Sequence, residues 1–276
     1  MCIRDRDWNI LTDRMNECSD AIDIAVVGKY VEYPDSYISV KEALRHAGVA
    51  NNREINIHWI HSEEVESSGA ESLLATVSGI VIPGGFGPRG VEGMIDAAKY
   101  ARVHKVPYLG LCLGMQVMVI EWARNILKLR ANSSELDPDT EHPVIHIMAD
   151  QEDVTNKGGT MRLGSYSCKP VEGTITSKAY RSAIVEERHR HRYELNNNYR
   201  ESLEESGLVI SGLSPDGTLV EITEVRDHPF MLGTQFHPEF RSRPHLPHPL
   251  FNEFVSYLSL IHISEPTRRT PISYAV

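Results

Sequence analysis

Residues 106–122 read VPYLGLCLGMQVMVIEW. The first part is an unbroken apolar run of strand length, and the second spaces its apolar residues as a helix does. Cys112 stands at the join, with Gly110 and Gly114 on either side. A strand that turns at once into a helix strains its junction residue, and small neighbours keep side chains out of the turn. This is the logic of the nucleophile elbow, G-x-S-x-G, met here as Gly110-Leu111-Cys112-Leu113-Gly114. Such a turn presents a sulfur at the C-terminal edge of a sheet, where open α/β folds bind ligands. It also sets the sulfur at a helix N-terminus, whose positive end favours thiolate. The pentapeptide alone is equally readable as a buried structural cysteine.

The sequence around the elbow repeats the same alternation. IDIAVVG (22–28), INIHWIH (55–61) and GIVIPGG (79–85) read as strands. Between them SYISVKEALRHAG (36–48), with a stop expected at Gly48, and AESLLATV (70–77) read as helices, and GVEGMIDAAKYARVHK (90–105) follows as a third. Strands alternating with helices predict a parallel sheet covered on both faces. After Ala131 the pattern changes. HPVIHIMA (142–149), TMRLGSYSCKP (160–170), LVISGLS (208–214), TLVEITEV (218–225) and FMLGTQF (230–236) are strands joined mostly by turns, so this half is expected to be antiparallel or mixed. MADQEDVTNKGGT (148–160) reads as a mobile surface loop, and HPLFNEFVSYLS (248–259) as a closing amphipathic helix.

The chain has 276 residues, a net charge of -10 and a pI near 5.7. The acidic balance argues against general nucleic-acid binding, although ERHRHRYE (187–194) is a local basic patch that composition alone assigns to a solvated face. The most apolar run, 106–120, is too short to span a bilayer. The cysteines, Cys2, Cys18, Cys112 and Cys168, have neither metal-ligand spacing nor a disulfide framework, which fits a reduced, cytoplasmic protein without a bound metal.

A thiolate that attacks a carbonyl needs a base and an oxyanion hole. Of 13 histidines, His237 stands out, because GTQFHPEF (233–240) puts it directly after a buried-looking strand with Glu239 two residues on. Residues i and i+2 of an extended segment share a side, so Glu239 can orient the imidazole. The hole needs close backbone N–H groups. Leu113, at the helix start, offers one, and the glycines of IPGGFG (82–87) allow another.

Together, PGGFG (83–87), GLCLGMQ (110–116) and QFHPEF (235–240) resemble the class I glutamine amidotransferases, over roughly residues 22–258. GGFGPRGVEGMI (84–95), ANSSE (131–135), GGTMRLG (158–164) and ERHRHRYE narrow the resemblance to the CTP synthase family. The resemblance implies a flavodoxin-like three-layer α/β fold, with a mostly parallel central sheet and a mixed or antiparallel C-terminal part. It implies a glutaminase with Cys112 as nucleophile, His237 as general base and acid, and Glu239 orienting it. Gly85 and Leu113 would supply oxyanion N–H groups. Gln116 and Glu135 would hold the amino-acid end of L-glutamine, with Phe86, Gly114 and Met115 in the same segments. Arg192 and Tyr193 would complete the pocket near the α-carboxylate, where a guanidinium suits a carboxylate.

Members of this family carry an N-terminal amidoligase half that binds ATP, Mg2+ and UTP. The region before Ile22 has no room for it, so the chain is expected to be the glutaminase half alone, with no cofactor of its own. The resemblance further implies that half as partner, GTP as activator and a homotetramer. Residues 1–6 and 260–276 are expected to be foreign or disordered ends, 7–21 a linker helix and 22–259 the amidotransferase domain. The loop 148–159 is shorter than the lid-like loop of many relatives, so a GTP response is not carried over. Another class I amidotransferase, a free-standing glutamyl hydrolase and a non-catalytic interaction module remain alternatives.

Overall fold

The computed structural model describes residues 3–18, 20–33, 35–147 and 161–264. The expected loop 148–160 lies outside the described residues. Helix α1 (Ile3–Glu17) leads into β1 (Ala21–Gly28), α2 (Ile38–Ala50), β2 (Glu54–His61), α3 (Ser62–Ser68), α4 (Ala70–Leu74), β3 (Gly79–Ile82), α5 (Val91–His104), β4 (Tyr108–Leu111) and α6 (Leu113–Asn125). Then come β5 (Ala131–Ser133), β6 (His142–Ile147), β7 (Arg162–Pro170), α7 (Ile175–Tyr180), β8 (Val185–His191), β9 (Tyr193–Leu195) and α8 (Arg200–Glu205). The last elements are β10 (Leu208–Leu213), β11 (Val220–Val225), β12 (Met231–Thr234) and α9 (Pro249–Ser264).

Nine strands form one sheet in the order β2-β1-β3-β4-β12-β11-β10-β7-β8. The pairings from β2 through to β12 are parallel. Those from β12 to β8 are antiparallel. A smaller sheet, β5-β6-β9, stands apart. The large sheet is a core with two faces because its strands alternate. Ile22, Ile24 and Val26 of β1 pack with Val40, Leu44, Phe251 and Phe254 of α2 and α9. Ala25 and Val27 point the other way, into a layer with Val65, Met94, Val117 and Ile120 of α3, α5 and α6. In α2 the buried Val40, Ala43, Leu44 and Ala47 follow the helical period.

Several boundaries differ from the sequence reading. Helix α2 passes the expected stop at Gly48 and ends at Ala50. Gly48 serves packing, since a Cβ there would lie 2.7 Å from the Arg53 carbonyl. Helix α3, SEEVESS, has too few apolar residues for a periodic signal. It forms because α5 approaches it closely: a Cβ on Gly93 would sit 1.9 Å from the Ser62 carbonyl. Helix α1 begins at Ile3, inside the segment expected to be foreign, and α9 runs past residue 259 to Ser264. The basic run as far as His191 lies in β8, whose side chains alternate. Glu187, His189 and His191 are buried and Arg188 and Arg190 exposed, so only half of it is a solvated face.

The elbow sits where α6 meets the middle of the sheet. A Cβ on Gly114 would lie 2.2 Å from the Ile82 carbonyl, and one on Gly110 would lie 2.6 Å from the Gly114 carbonyl. On the other side, a Cβ on Gly233 would come within 2.9 Å of Met115 Cα. The first turn of α6 therefore rests directly on β3, β4 and β12.

We expect Gly114→Val to abolish cooperative thermal unfolding or lower Tm by many degrees, because the obstacle is backbone that cannot move aside. Cys112→Ala removes one sulfur and should shift Tm little. Acid should also destabilise the fold. Burial holds His228, His189 and His191 well below the usual histidine range, so all three are neutral in the folded chain. The unfolded chain protonates them as pH falls through about 6.5, so each adds a loss of about 1.4 kcal/mol per pH unit below that point. His228 donates from Nε2 to the Ala101 carbonyl at 3.0 Å, far from the elbow. Denaturant melts between pH 7 and 5 should show a shallower pH dependence for His228→Gln than for the parent chain.

Candidate active site

The C-terminal ends of β1, β3, β4 and β12 lie side by side, and each delivers residues to one edge. Lys29 follows β1, the loop 83–87 follows β3, Cys112 follows β4, and the segment 235–239 follows β12. Cys112 is buried and adopts φ 51° and ψ −98°. A β-carbon residue pays for that conformation, and backbone bonds on both sides enforce it. The Cys112 N–H donates to the Thr234 carbonyl at 2.7 Å, and its own carbonyl accepts from Gln116 N at 3.2 Å. Leu113 opens α6, so its N–H has no intrahelical acceptor.

His237 is fixed through its backbone, whose N–H donates to the Arg188 carbonyl of β8 at 2.8 Å. Its Nδ1 lies 2.8 Å from Glu239 Oε1. The contact is not made along an extended segment, as the i, i+2 reading had it. Pro238 opens a 3-10 turn, Pro238–Arg241, that folds Glu239 back onto the ring. The ring stacks on Phe240 at 5.2 Å. Burial by itself favours the neutral imidazole. Glu239, and then the Cys112 sulfur, outweigh it and hold His237 up to about 10. Nε2 of His237 is buried and has no hydrogen-bond partner among the described residues.

The glycine loop makes room for this ring. A Cβ on Gly84 would lie 2.7 Å from His237 Cε1. Gly85 abuts Leu113, and Gly87 takes φ 75°. Lys29 Nζ donates to the Phe86 carbonyl at 3.1 Å and also to that of Gly87. Gly87 N donates to Glu135 Oε1 at 3.3 Å. Burial lowers Lys29 to about 8, with Glu135 opposing the shift.

A cavity of about 30 Å³ opens beside the sulfur, room for about one water molecule. Gly85, Phe86, Gln116, Glu135, Arg192 and Tyr193, expected from separate segments of sequence, line it together with Cys112. Gly114 and Met115 are not brought to it. They lie behind the nucleophile, packed on Ile82 and Gly233. Gln116 Nε2 donates to the Tyr193 carbonyl at 3.0 Å, which ties α6 to β9.

Four contributors went unread in the sequence. Lys29 follows the first strand directly, a position the ligand-edge rule could have flagged. Gln235 donates to Cys112 Sγ at 3.8 Å and precedes the HPE segment. His191 lines the cavity, and Arg162 pairs with Glu221 at 2.7 Å and Glu194 at 3.4 Å beneath it. The period-2 alternation of ERHRHR was the available signal for His191. Arg162 left none, because its partners are far apart in the chain.

The class-I glutamine amidotransferase family model matches residues 32–257. A CTP synthase of Dehalococcoides mccartyi is 56% identical over 250 residues, which are 90% of this chain and 46% of the relative. A CTP synthase of Roseiflexus castenholzii is 59% identical over 252 residues, 91% of this chain and 45% of the relative. The chain thus spans about half the length of the curated relatives it matches. Among solved structures, the Trypanosoma brucei CTPS glutaminase domain with bound acivicin superposes with a TM-score of 0.81 at 40% identity. That match covers 87% of this chain and 94% of the trypanosomal one. An elbow cysteine, a carboxylate-held histidine and a glycine loop on one sheet edge therefore come with matching sequence along the whole domain: the chain belongs to the class I glutamine amidotransferase family, among the glutaminase domains of the CTP synthases.

Proposed function

We propose that this chain hydrolyses L-glutamine to glutamate and ammonia through a thioester on Cys112. The observation that carries the reading is the meeting of a φ 51° cysteine and a 2.8 Å His237–Glu239 pair at one sheet edge. With the Cys112 proton already resting on His237, the sulfur adds to the carboxamide carbon. The N–H groups of Gly85 and Leu113 receive the developing oxyanion. Collapse breaks the C–N bond while His237 Nε2 gives its proton to the departing nitrogen. The neutral imidazole then takes a proton from water, whose oxygen attacks the thioester and releases glutamate. Glu239 stabilises the imidazolium and fixes its tautomer through Nδ1. Glu135 and Gln116 suit the α-amino end, and Arg192 with Tyr193 the α-carboxylate. Phe86 covers the rim.

The ammonia would serve an amidoligase half that aminates UTP to CTP with ATP and Mg2+, in a cytoplasmic homotetramer activated by GTP. Relatives about twice as long and named CTP synthase support this larger setting. Helix α1 would be the link between the halves. Among the described residues no helix is long and apolar enough to cross a membrane.

Glutamate release from L-glutamine by residues 1–276 tests the reading. Cys112→Ala should lower kcat by about 10³-fold or more while the circular dichroism spectrum stays the same. Retained turnover in that variant rejects the thioester. The pH profile supplies a second test. A proton held on His237 up to about 10 puts the alkaline limb of kcat near that value. In Glu239→Gln burial acts unopposed by the carboxylate, so the limb should move to lower pH and kcat should fall about a hundredfold or more. An unchanged limb would show that another group titrates.

A further inference from the structure

The chain passes from the large sheet to the small one in a single residue. Strand β8 ends at His191 and β9 starts at Tyr193, so Arg192 alone makes the corner. This corner presents Arg192 and Tyr193 to the cavity, and a one-residue junction has no slack of its own. What fixes it is polar and buried. His189 Nδ1 and His191 Nε2 are 2.8 Å apart, and both rings are almost wholly inaccessible. Across the junction, Arg162 of β7 reaches Glu194 of β9 at 3.4 Å and Glu221 of β11 at 2.7 Å. His189 is further held between Phe236 at 5.6 Å and Tyr166 at 5.4 Å. Phe236 immediately precedes His237.

We propose that His189 is a positioning residue for the glutamine pocket: its bond to His191 sets the β8–β9 corner, and the corner sets Arg192 and Tyr193 over the nucleophile. This inference rests on the glutaminase reading. The bond joins two neutral rings, so one donates and the other accepts. Burial, Arg162 and His237 all disfavour a charge on His189, and the rings therefore act as neutral spacers of fixed length. His189 lies outside the cavity lining, so its influence on an amino-acid ligand passes through His191.

The geometry predicts which substitutions matter. Asparagine carries a polar atom close to the position of Nδ1 and can keep the bond to His191. Leucine fills the space without a partner and leaves His191 Nε2 buried and unpaired. The experiment compares two electrophiles on Cys112 in the full chain, read by peptide mass spectrometry. Acivicin carries the α-amino and carboxylate groups of an amino acid, whereas iodoacetamide carries neither. His189→Leu should slow labelling by acivicin about tenfold, the scale set by one lost buried hydrogen bond, and leave iodoacetamide labelling within about twofold. His189→Asn should restore acivicin labelling to near the parent rate. If the leucine variant does not fold, His189→Gln carries the same expectation, since its amide lies one methylene beyond Nδ1. Equal loss with both reagents, no loss with acivicin, or an asparagine variant as slow as the others would overturn the proposal. A parent chain that iodoacetamide labels at Cys112 and acivicin does not would instead remove the glutaminase reading, and the proposal with it.

Discussion

The contact between the first turn of α6 and the carbonyls of the sheet is the constraint on which the site depends. At Gly114 the helix comes so near Ile82 that a methyl group would overlap the carbonyl oxygen. Gly110 and Gly233 keep the adjacent strands equally bare. With the helix pressed this close, the residue before it has no extended route from β4, and Cys112 takes a positive φ. The same closeness puts the sulfur at the mouth of four parallel strands, where the residues after β1, β3 and β12 also emerge. The strain at Cys112 is small beside the burial of the helix that imposes it. A packing requirement of the fold thus becomes the placement of a nucleophile.

A second constraint acts from the antiparallel half. His237 is anchored to β8 by its backbone and to Glu239 by its ring, so the position of β8 sets the distance between base and sulfur. The same strand leads through Arg192 into the small sheet. The buried cluster of Arg162, Glu194, Glu221, His189 and His191 joins the two sheets at that point. Its net charge is kept low because burial and the neighbouring cations hold the histidines neutral, leaving one arginine between the two carboxylates. Base and substrate-recognising corner therefore hang on one strand.

Much of this was legible in the sequence, for identifiable reasons. The elbow is local, since five residues carry its glycines and its thiol, and the strand–helix alternation around it follows the period of the apolar residues. His237 and Glu239 were legible as neighbours, but the turn that joins them was not, because Pro238 suits both an interrupted strand and a 3-10 start. Gly85, Phe86, Gln116, Glu135, Arg192 and Tyr193 were legible only through family likeness, and the fold gathers them at one cavity. Gly114 and Met115 were read from the same motif as pocket residues, whereas their surroundings make them packing residues. The unread part is non-local. Helix α3 depends on a glycine in α5, and Arg162 depends on carboxylates 32 and 59 residues away. No local period encodes such pairs.

The central claim is that Cys112 is acylated by glutamine at this elbow. Rapid acid quenching of the chain during turnover of radiolabelled L-glutamine, followed by tryptic mapping, examines it directly. The account predicts a base-labile label on the peptide that contains Cys112, absent from Cys112→Ala and accumulating further in variants slow in the second, hydrolytic half. Glutamate formation with no label on that peptide, or with the label on Cys18 or Cys168, would contradict it.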